Sequence, residues 1–180
     1  MEENDKYKLT FTGDNLIGRA LCRTEDGPKY KLTDETTNLL GRTLYRIEAL
    51  KDFGDVKEGY KGGFVESENN LAHEGDAWVS DDACVYDNAR VCGDALVRGY
   101  ACVCGDAEIS NKSDYIVFQN WWSSGRYFTW TRSNNMWSVG CFYGTGEELI
   151  KKAYKDSELS GREYERIVKY VEEIRKDNGK

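Results

Sequence analysis

Between Gly75 and Ser110 the pattern of hydrophobic and polar positions repeats every six residues, in six consecutive blocks. Each block begins with glycine or aspartate, places alanine third and places valine or isoleucine fifth. These inward positions predict one short strand per block, because β-branched side chains suit a pleated surface. Glycine and aspartate at the block boundary predict a tight corner, since both tolerate a positive φ.

Three faces and three corners close one triangular coil of 18 residues, and stacked coils form a solenoid with backbone hydrogen bonds between coils. Residues 75–110 supply two regular coils. An irregular coil is expected before them, in which Val65 and Leu71 occupy the inward alanine register.

The six-residue repeat resembles the left-handed β-helix of the hexapeptide-repeat family. Residues 52–79 are similar to the start of the solenoid in a group of bacterial and phage repeat proteins that are labelled as transferases without an assigned function. The resemblance implies a left-handed β-helix over residues 57–112. It implies no activity, because one fold hosts many functions.

Residues 1–56 are predicted to form an N-terminal β cap. Strand-like alternation occurs over residues 8–12, 20–23, 29–32 and 43–50. A cap is expected because an uncovered terminal coil exposes both its core and its strand edge.

Residues 113–180 leave the six-residue period and predict an antiparallel β meander plus two α-helices. The expected strands are residues 115–120, 126–132 and 136–143. Thr145 and Ser160 each begin a capping-box pattern, and an apolar stripe at helical spacing follows the second. The expected fold is therefore mainly β: a short left-handed β-helix with an N-terminal β cap, followed by an antiparallel β meander and two C-terminal α-helices.

The chain of 180 residues carries a net charge of −7 that is unevenly distributed. Residues 75–110 hold seven acidic and two basic residues, whereas residues 111–144 hold one acidic and three basic residues. An acidic solenoid argues against binding to duplex nucleic acid, which depends on neutralising phosphates. Neither an apolar signal region nor a long apolar stretch occurs, so the expected location is cytoplasmic, without membrane association and with reduced cysteines.

One outward face of the solenoid carries no charge, because the columns place Cys84 beside Cys102 and Tyr86 beside Cys104. Such a face is expected to be covered, either by the chain's own C-terminal helices or by another subunit. A short coil stack buries little area alone, and members of the resembled fold are commonly trimers. A homo-oligomer, with a trimer favoured, is therefore expected.

An acyltransferase is the enzyme that the resemblance implies, with His73, the single histidine, as its base. His73 falls on the inward register, where an imidazole caps the core instead of reaching a substrate. Cys102 and Cys104 lie too close in sequence for a typical zinc pair, and no fourth ligand is evident. Neither a metal nor a cofactor is expected, and an enzyme is disfavoured.

The most aromatic segment is residues 115–143, which holds ten of the 23 aromatic residues and four of the five tryptophans. Two arginines are interleaved with these rings, an arrangement that suits stacking on a nucleobase and pairing with phosphate. The alternative is that the rings form the core between sheet and helices. The candidate ligand-binding residues are Trp121, Trp122, Arg126, Phe128, Trp130, Arg132 and Trp137.

Three functions remain open at this point. The first is a non-catalytic homo-oligomeric protein that binds a small anionic ligand, such as a nucleotide, between subunits; a phage protein of this kind would sequester a signalling nucleotide. The second is a hexapeptide-repeat acyltransferase that uses His73. The third is a structural or protein-interaction module.

Overall fold

The computed structural model of the protein describes residues 27–177. This part of the chain is mainly β, with an antiparallel meander and two C-terminal helices, as predicted. The strands expected over residues 8–12 and 20–23 lie outside the described residues.

The elements follow the chain in the order cap, coils, meander and helices. The cap strands are β1 (Tyr30–Leu39), β2 (Arg42–Ala49) and β3 (Lys61–Val65), followed by a 3-10 helix at Glu68–Asn70. The coil strands are β4 (Trp78–Val79), β5 (Cys84–Val85), β6 (Arg90–Val91), β7 (Leu96–Val97), β8 (Cys102–Val103) and β9 (Glu108–Ile109). The meander is β10 (Tyr115–Gln119), β11 (Tyr127–Thr131), β12 (Met136–Val139) and β13 (Phe142–Gly144), and the helices are α1 (Gly146–Asp156) and α2 (Glu158–Asp177).

The coil strands form three parallel pairs, each in a separate sheet. Trp78 pairs with Leu96, Cys84 with Cys102 and Arg90 with Glu108, so every pair has the predicted offset of 18 residues. The alanine and aliphatic positions of the repeat are buried in one core. Each pair places one strand of the first coil against one strand of the second.

The corners explain why some blocks begin with aspartate instead of glycine. Asp81 and Asp87 have positive φ angles of 57° and 58°. The Asp81 carboxylate accepts a hydrogen bond from the Gly99 N–H (2.9 Å), and that of Asp87 accepts one from the Gly105 N–H (3.2 Å). Aspartate therefore turns the chain and also ties each corner to the one stacked on it.

The irregular coil predicted before these two coils has a different register from the one expected. Val65 pairs with Val85 and Leu71 bridges to Val91, both at an offset of 20 residues. The prediction that Val65 and Leu71 occupy the alanine register is wrong, because two extra residues precede Val79 and shift both side chains onto the aliphatic positions.

At their N-terminal end the coils are closed by a different group on each face. β3 joins β2 to β5, which extends one face into the sheet β1-β2-β3-β5-β8. On the second face, the Asn70 side-chain amide donates to the Asp87 and Ala89 carbonyls (3.1 and 2.8 Å). On the third, the buried Lys29 ammonium donates to the Ala77 carbonyl (2.7 Å).

At the C-terminal end, side-chain oxygens from the meander region replace the next coil. The Tyr115 hydroxyl accepts from the Arg98 N–H (3.2 Å) and donates to the Leu96 carbonyl (3.0 Å). Thr129 Oγ1 accepts from the Cys102 N–H at 2.9 Å. Ser133 Oγ accepts from the Glu108 N–H and Asp114 Oδ2 from the Ser110 N–H (2.8 and 2.9 Å). Each of the three open strand edges therefore has side-chain partners for some of the backbone groups that a further coil would bind.

The meander has four strands, not three. Residues predicted as one strand over 136–143 form β12 and β13, in which Val139 pairs with Phe142. Gly140 takes a φ of 57° in the two-residue turn between them. A positive φ at glycine is what allows such a tight hairpin, and the sequence pattern alone did not separate it from a continuous strand.

The helices begin with side-chain caps. The capping box predicted at Thr145 is present, with its hydroxyl accepting from the Glu148 N–H. Ser160 is not a cap, because α2 starts at Glu158 and the Ser157 hydroxyl accepts from the Ser160 N–H at 3.1 Å. No helix within residues 27–177 is long and apolar enough to cross a membrane.

The hydrogen bond from the Cys102 N–H to the Thr129 hydroxyl allows a direct test of whether side chains from the meander close the C-terminal edge of the coils. Replacing Thr129 by valine keeps the side-chain shape but leaves the Cys102 N–H without its acceptor, so the free energy of unfolding should fall by about 1–3 kcal/mol. The exposed strand residue Thr43, changed to valine, is the control, with an expected change within about 0.5 kcal/mol. Urea unfolding of both variants measures the difference. Equal effects at the two positions would contradict the closure.

Candidate functional site

Three of the predicted ligand-binding rings are buried. Phe128, Trp130 and Trp137 are 1%, 0% and 2% exposed and pack with Leu149 and Val168 from the helices. A ligand cannot reach these rings in this structure, because they form the core between the meander and the helices. For these three positions the structure shows the alternative arrangement, in which the rings form the core between the sheet and the helices.

The buried tryptophan of β11 is held by a polar contact as well. Trp130 Nε1 donates to Asn135 Oδ1 at 3.0 Å. Asn135 sits in the turn before β12 with a φ of 56°. Its side chain therefore fixes both the turn and the indole orientation.

The two predicted arginines lie at opposite ends of β11. They are six residues apart, which along a strand corresponds to about 20 Å. Arg132 is half-buried and its Nε donates to the Ser113 carbonyl at 3.2 Å, whereas Arg126 is exposed. One small anion cannot contact both guanidinium groups, so the structure does not bring the whole predicted set together.

The exposed part of the predicted set is the turn over residues 120–126. Asn120 is buried and anchors this turn, since its Oδ1 accepts from the Arg126 N–H (3.2 Å) and its Nδ2 donates to the Tyr164 hydroxyl (3.3 Å). Trp122 is half-buried and meets Tyr164 edge to face at a centroid distance of 5.1 Å. Trp121 points to solvent and is 77% exposed. The turn is therefore fixed to α2 while it presents Trp121 outward.

Two further rings lie at this end of β11. Tyr127 stacks on Tyr100 with a centroid distance of 4.5 Å, and both remain exposed. We name the exposed groups Trp121, Arg126, Tyr127 and Tyr100 the outer aromatic patch. Tyr100 is not among the residues predicted from the sequence, although it is the one aromatic residue at the second position of any block.

The uncharged face of the coils is covered within the chain. Cys84, Tyr86 and Cys104 are buried in a cluster with Leu44 and Phe64 from the cap. The expectation that the C-terminal helices cover this face is wrong, because Leu44 and Phe64 of the cap pack on it. Contact with a second subunit stays a prediction. The burial of these side chains also removes the observation that first suggested an oligomer.

His73 is engaged by the cap. Its ring stacks on Tyr30 with a centroid distance of 4.4 Å, and its Nδ1 accepts from the Lys29 N–H at 3.2 Å. Partial burial holds the pKa of His73 below its ordinary value. These contacts give His73 a structural role at the N-terminal end of the coils.

Lys29 is the most unusual charge in the described residues, since it is 1% exposed. Its ammonium donates to the Gly75 and Ala77 carbonyls (3.2 and 2.7 Å) and lies 4.9 Å from the Phe53 ring centroid. Burial lowers the pKa of Lys29 from 10.5 to about 8, and the nearby Asp76 carboxylate opposes that shift. Within residues 27–177, no group of three or more histidine, cysteine, aspartate or glutamate side chains is arranged to hold a metal ion.

Comparison with known proteins adds no functional assignment. No protein-family model matches this chain, and no significant match occurs among curated proteins. Its function must therefore be inferred from the contacts and exposures described above.

Because the Lys29 ammonium is buried, we expect the protein to become more stable at alkaline pH. Between pH 8 and pH 10.5 the unfolded chain binds more protons at Lys29 than the folded chain, so the free energy of unfolding rises with pH, by about 3 kcal/mol from this group. Lys29→Met should lack this rise, and Lys151→Met on the exposed surface of α1 is the control. Urea unfolding at pH 7 and pH 10 measures the effect. A wild-type to Lys29→Met difference that is the same at both pH values would contradict it.

Proposed function

We propose that the chain is a non-catalytic, homo-oligomeric protein that binds a small anionic ligand of the nucleotide class at the outer aromatic patch. The observation that supports this most is the exposure of both Trp121 and Arg126 on one turn that Asn120 anchors to α2. The Trp121 indole, 77% exposed on an anchored turn, is therefore available to a ligand.

The chemistry of the patch suits a planar anion. A ring such as Trp121 stacks on any nucleobase, for about 1–3 kcal/mol per base. The Arg126 guanidinium can form charge-assisted hydrogen bonds with phosphate. The meander segment 111–144 is net positive within an acidic chain, so it is the part that attracts an anion.

The shape of this surface supports the proposed oligomer. Small-ligand sites usually bury most of their ligand, whereas Trp121, Tyr127 and Tyr100 stand on the outside of the chain. A second copy would supply the missing wall, and its acidic coils, residues 75–110, complement the positive segment 111–144. We propose that the three-sided stack is a left-handed β-helix and that three copies assemble, as the resemblance implies.

The contacts of His73 give little support to an acyltransferase. Its ring is stacked on Tyr30 and its Nδ1 is already an acceptor for Lys29. A general base needs a free acceptor nitrogen within reach of its substrate.

A protein-interaction module is the second candidate. Tryptophan, tyrosine and arginine are the residues that carry most binding energy at protein interfaces, and the outer aromatic patch consists of these types. In this second candidate the outer aromatic patch binds another protein instead of a nucleotide.

The ligand proposal is tested by calorimetry against mono-, di- and cyclic nucleotides. Trp121→Ala should weaken binding about tenfold to hundredfold through lost stacking. Arg126→Ala should weaken it and reduce its salt dependence. Arg132→Ala, about 20 Å away along β11, is the matched control and should leave the affinity unchanged.

The outcomes separate the candidates. No binding by the wild-type chain at near-millimolar nucleotide would reject the ligand, and a loss confined to Arg132→Ala would move the site. Native mass spectrometry of protein purified from cells gives the stoichiometry and any retained small molecule. A mass equal to one chain would contradict the oligomer, and a retained polypeptide of other sequence would favour the interaction module.

A further inference from the structure

Two cysteines from successive coils lie side by side near the outer aromatic patch. Cys84 in β5 pairs in register with Cys102 in β8, and both side chains leave the same outward face. Neighbouring strands are about 4.8 Å apart, within the Cα separation of about 4.4–6.8 Å that disulfides span. Both thiols are free in this structure.

The other cysteines of the described chain lack such a partner. Cys104 is two residues beyond Cys102, and its in-register neighbour is Tyr86. Cys92 stacks beside Ser110, and Cys141 is exposed on the turn between β12 and β13. The Cys84 and Cys102 pair is therefore the one whose geometry suits an intramolecular bridge among residues 27–177.

The surroundings of the two thiols differ. Cys102 is partly exposed, and its sulfur lies 4.0 Å from the Tyr100 carbonyl oxygen of the patch. Cys84 is buried under the cap, and its sulfur lies 3.6 Å from the Asp82 carbonyl oxygen. An oxidant from solvent thus meets Cys102 first.

We propose that Cys84 and Cys102 form a redox-active dithiol that a peroxide-class oxidant converts into a disulfide linking the two coils. Cys102 is the attacking thiol and Cys84 is the resolving thiol, and neither role depends on the ligand proposed for the patch.

The reaction balances with the peroxide as sole oxidant. The Cys102 thiolate attacks one peroxide oxygen; the S–O bond forms, the O–O bond breaks, and the departing hydroxide takes up the thiol proton as water. The Cys84 thiol then attacks this sulfenic sulfur; the S–S bond forms, and the S–O bond breaks to release a second water. Two thiols and one hydrogen peroxide become one disulfide and two waters.

The pKa shifts of the two thiols favour the same order of reaction. A hydrogen bond from Cys84 to the Cys102 thiolate, the largest cause, holds the pKa of Cys102 below its ordinary value despite burial. The same contact, together with burial, raises the pKa of Cys84. Since the thiolate is the nucleophile, this asymmetry favours Cys102 as the first to react.

Peptide mapping of the oxidised protein tests the proposal. The chain is treated with hydrogen peroxide, its remaining thiols are alkylated, and it is digested with trypsin without reductant. Cleavage after Lys61, Arg90, Arg98 and Lys112 places Cys84, Cys92 and Cys102 on different peptides. The expected product is peptide 62–90 linked to peptide 99–112, with the loss of two hydrogens, and it should disappear on reduction.

Three variants identify the cysteine that is linked to Cys84. The link should persist in Cys104→Ser and in Cys92→Ser and vanish in Cys102→Ser. Wild-type protein that keeps both thiols reduced while Cys141 is oxidised would overturn the proposal. A link that survives in Cys102→Ser would overturn it as well, and mapping of the wild-type chain tests the bridge even where a variant fails to fold.

Discussion

The open strand edges of a two-coil stack are the constraint on which this structure depends. A coil bonded on one side leaves alternate N–H and C=O groups unpaired on the other, on three faces at each end. The chain closes one end with Lys29 and Asn70 and the other with Tyr115, Thr129 and Ser133. The cap and the meander are therefore required parts of the coil stack.

This closure determines what surface is left for function. β11 turns Thr129 towards the coils and packs Phe128 and Trp130 against the helices, so both of its sides are occupied. The accessible aromatic groups are then displaced to the start of the strand, at Trp121 and Tyr127. A ligand of the meander would therefore bind at the start of β11.

The features predicted correctly from the sequence are those that depend on short local patterns. The 18-residue offset between Cys84 and Cys102 follows from the period, and the cap at Thr145 follows from a four-residue pattern. The burial of Trp130 could not be predicted, because alternation identifies the face of a strand but not what covers it. The register of Leu71 was predicted wrongly for a related reason. An insertion of two residues before the regular repeat cannot be recognised from the repeat itself. Tyr100 could have been found, because it interrupts the repeat at a position that is otherwise aspartate or asparagine.

Native-state hydrogen exchange tests the closure most directly, because it reports on individual amides. The account predicts that the Arg98, Cys102 and Glu108 amides, which donate to side-chain oxygens at the C-terminal edge, exchange nearly as slowly as the inter-coil amide of Cys84. Exchange of these three amides at the rate of the exposed backbone, while the Cys84 amide stays protected, would contradict it.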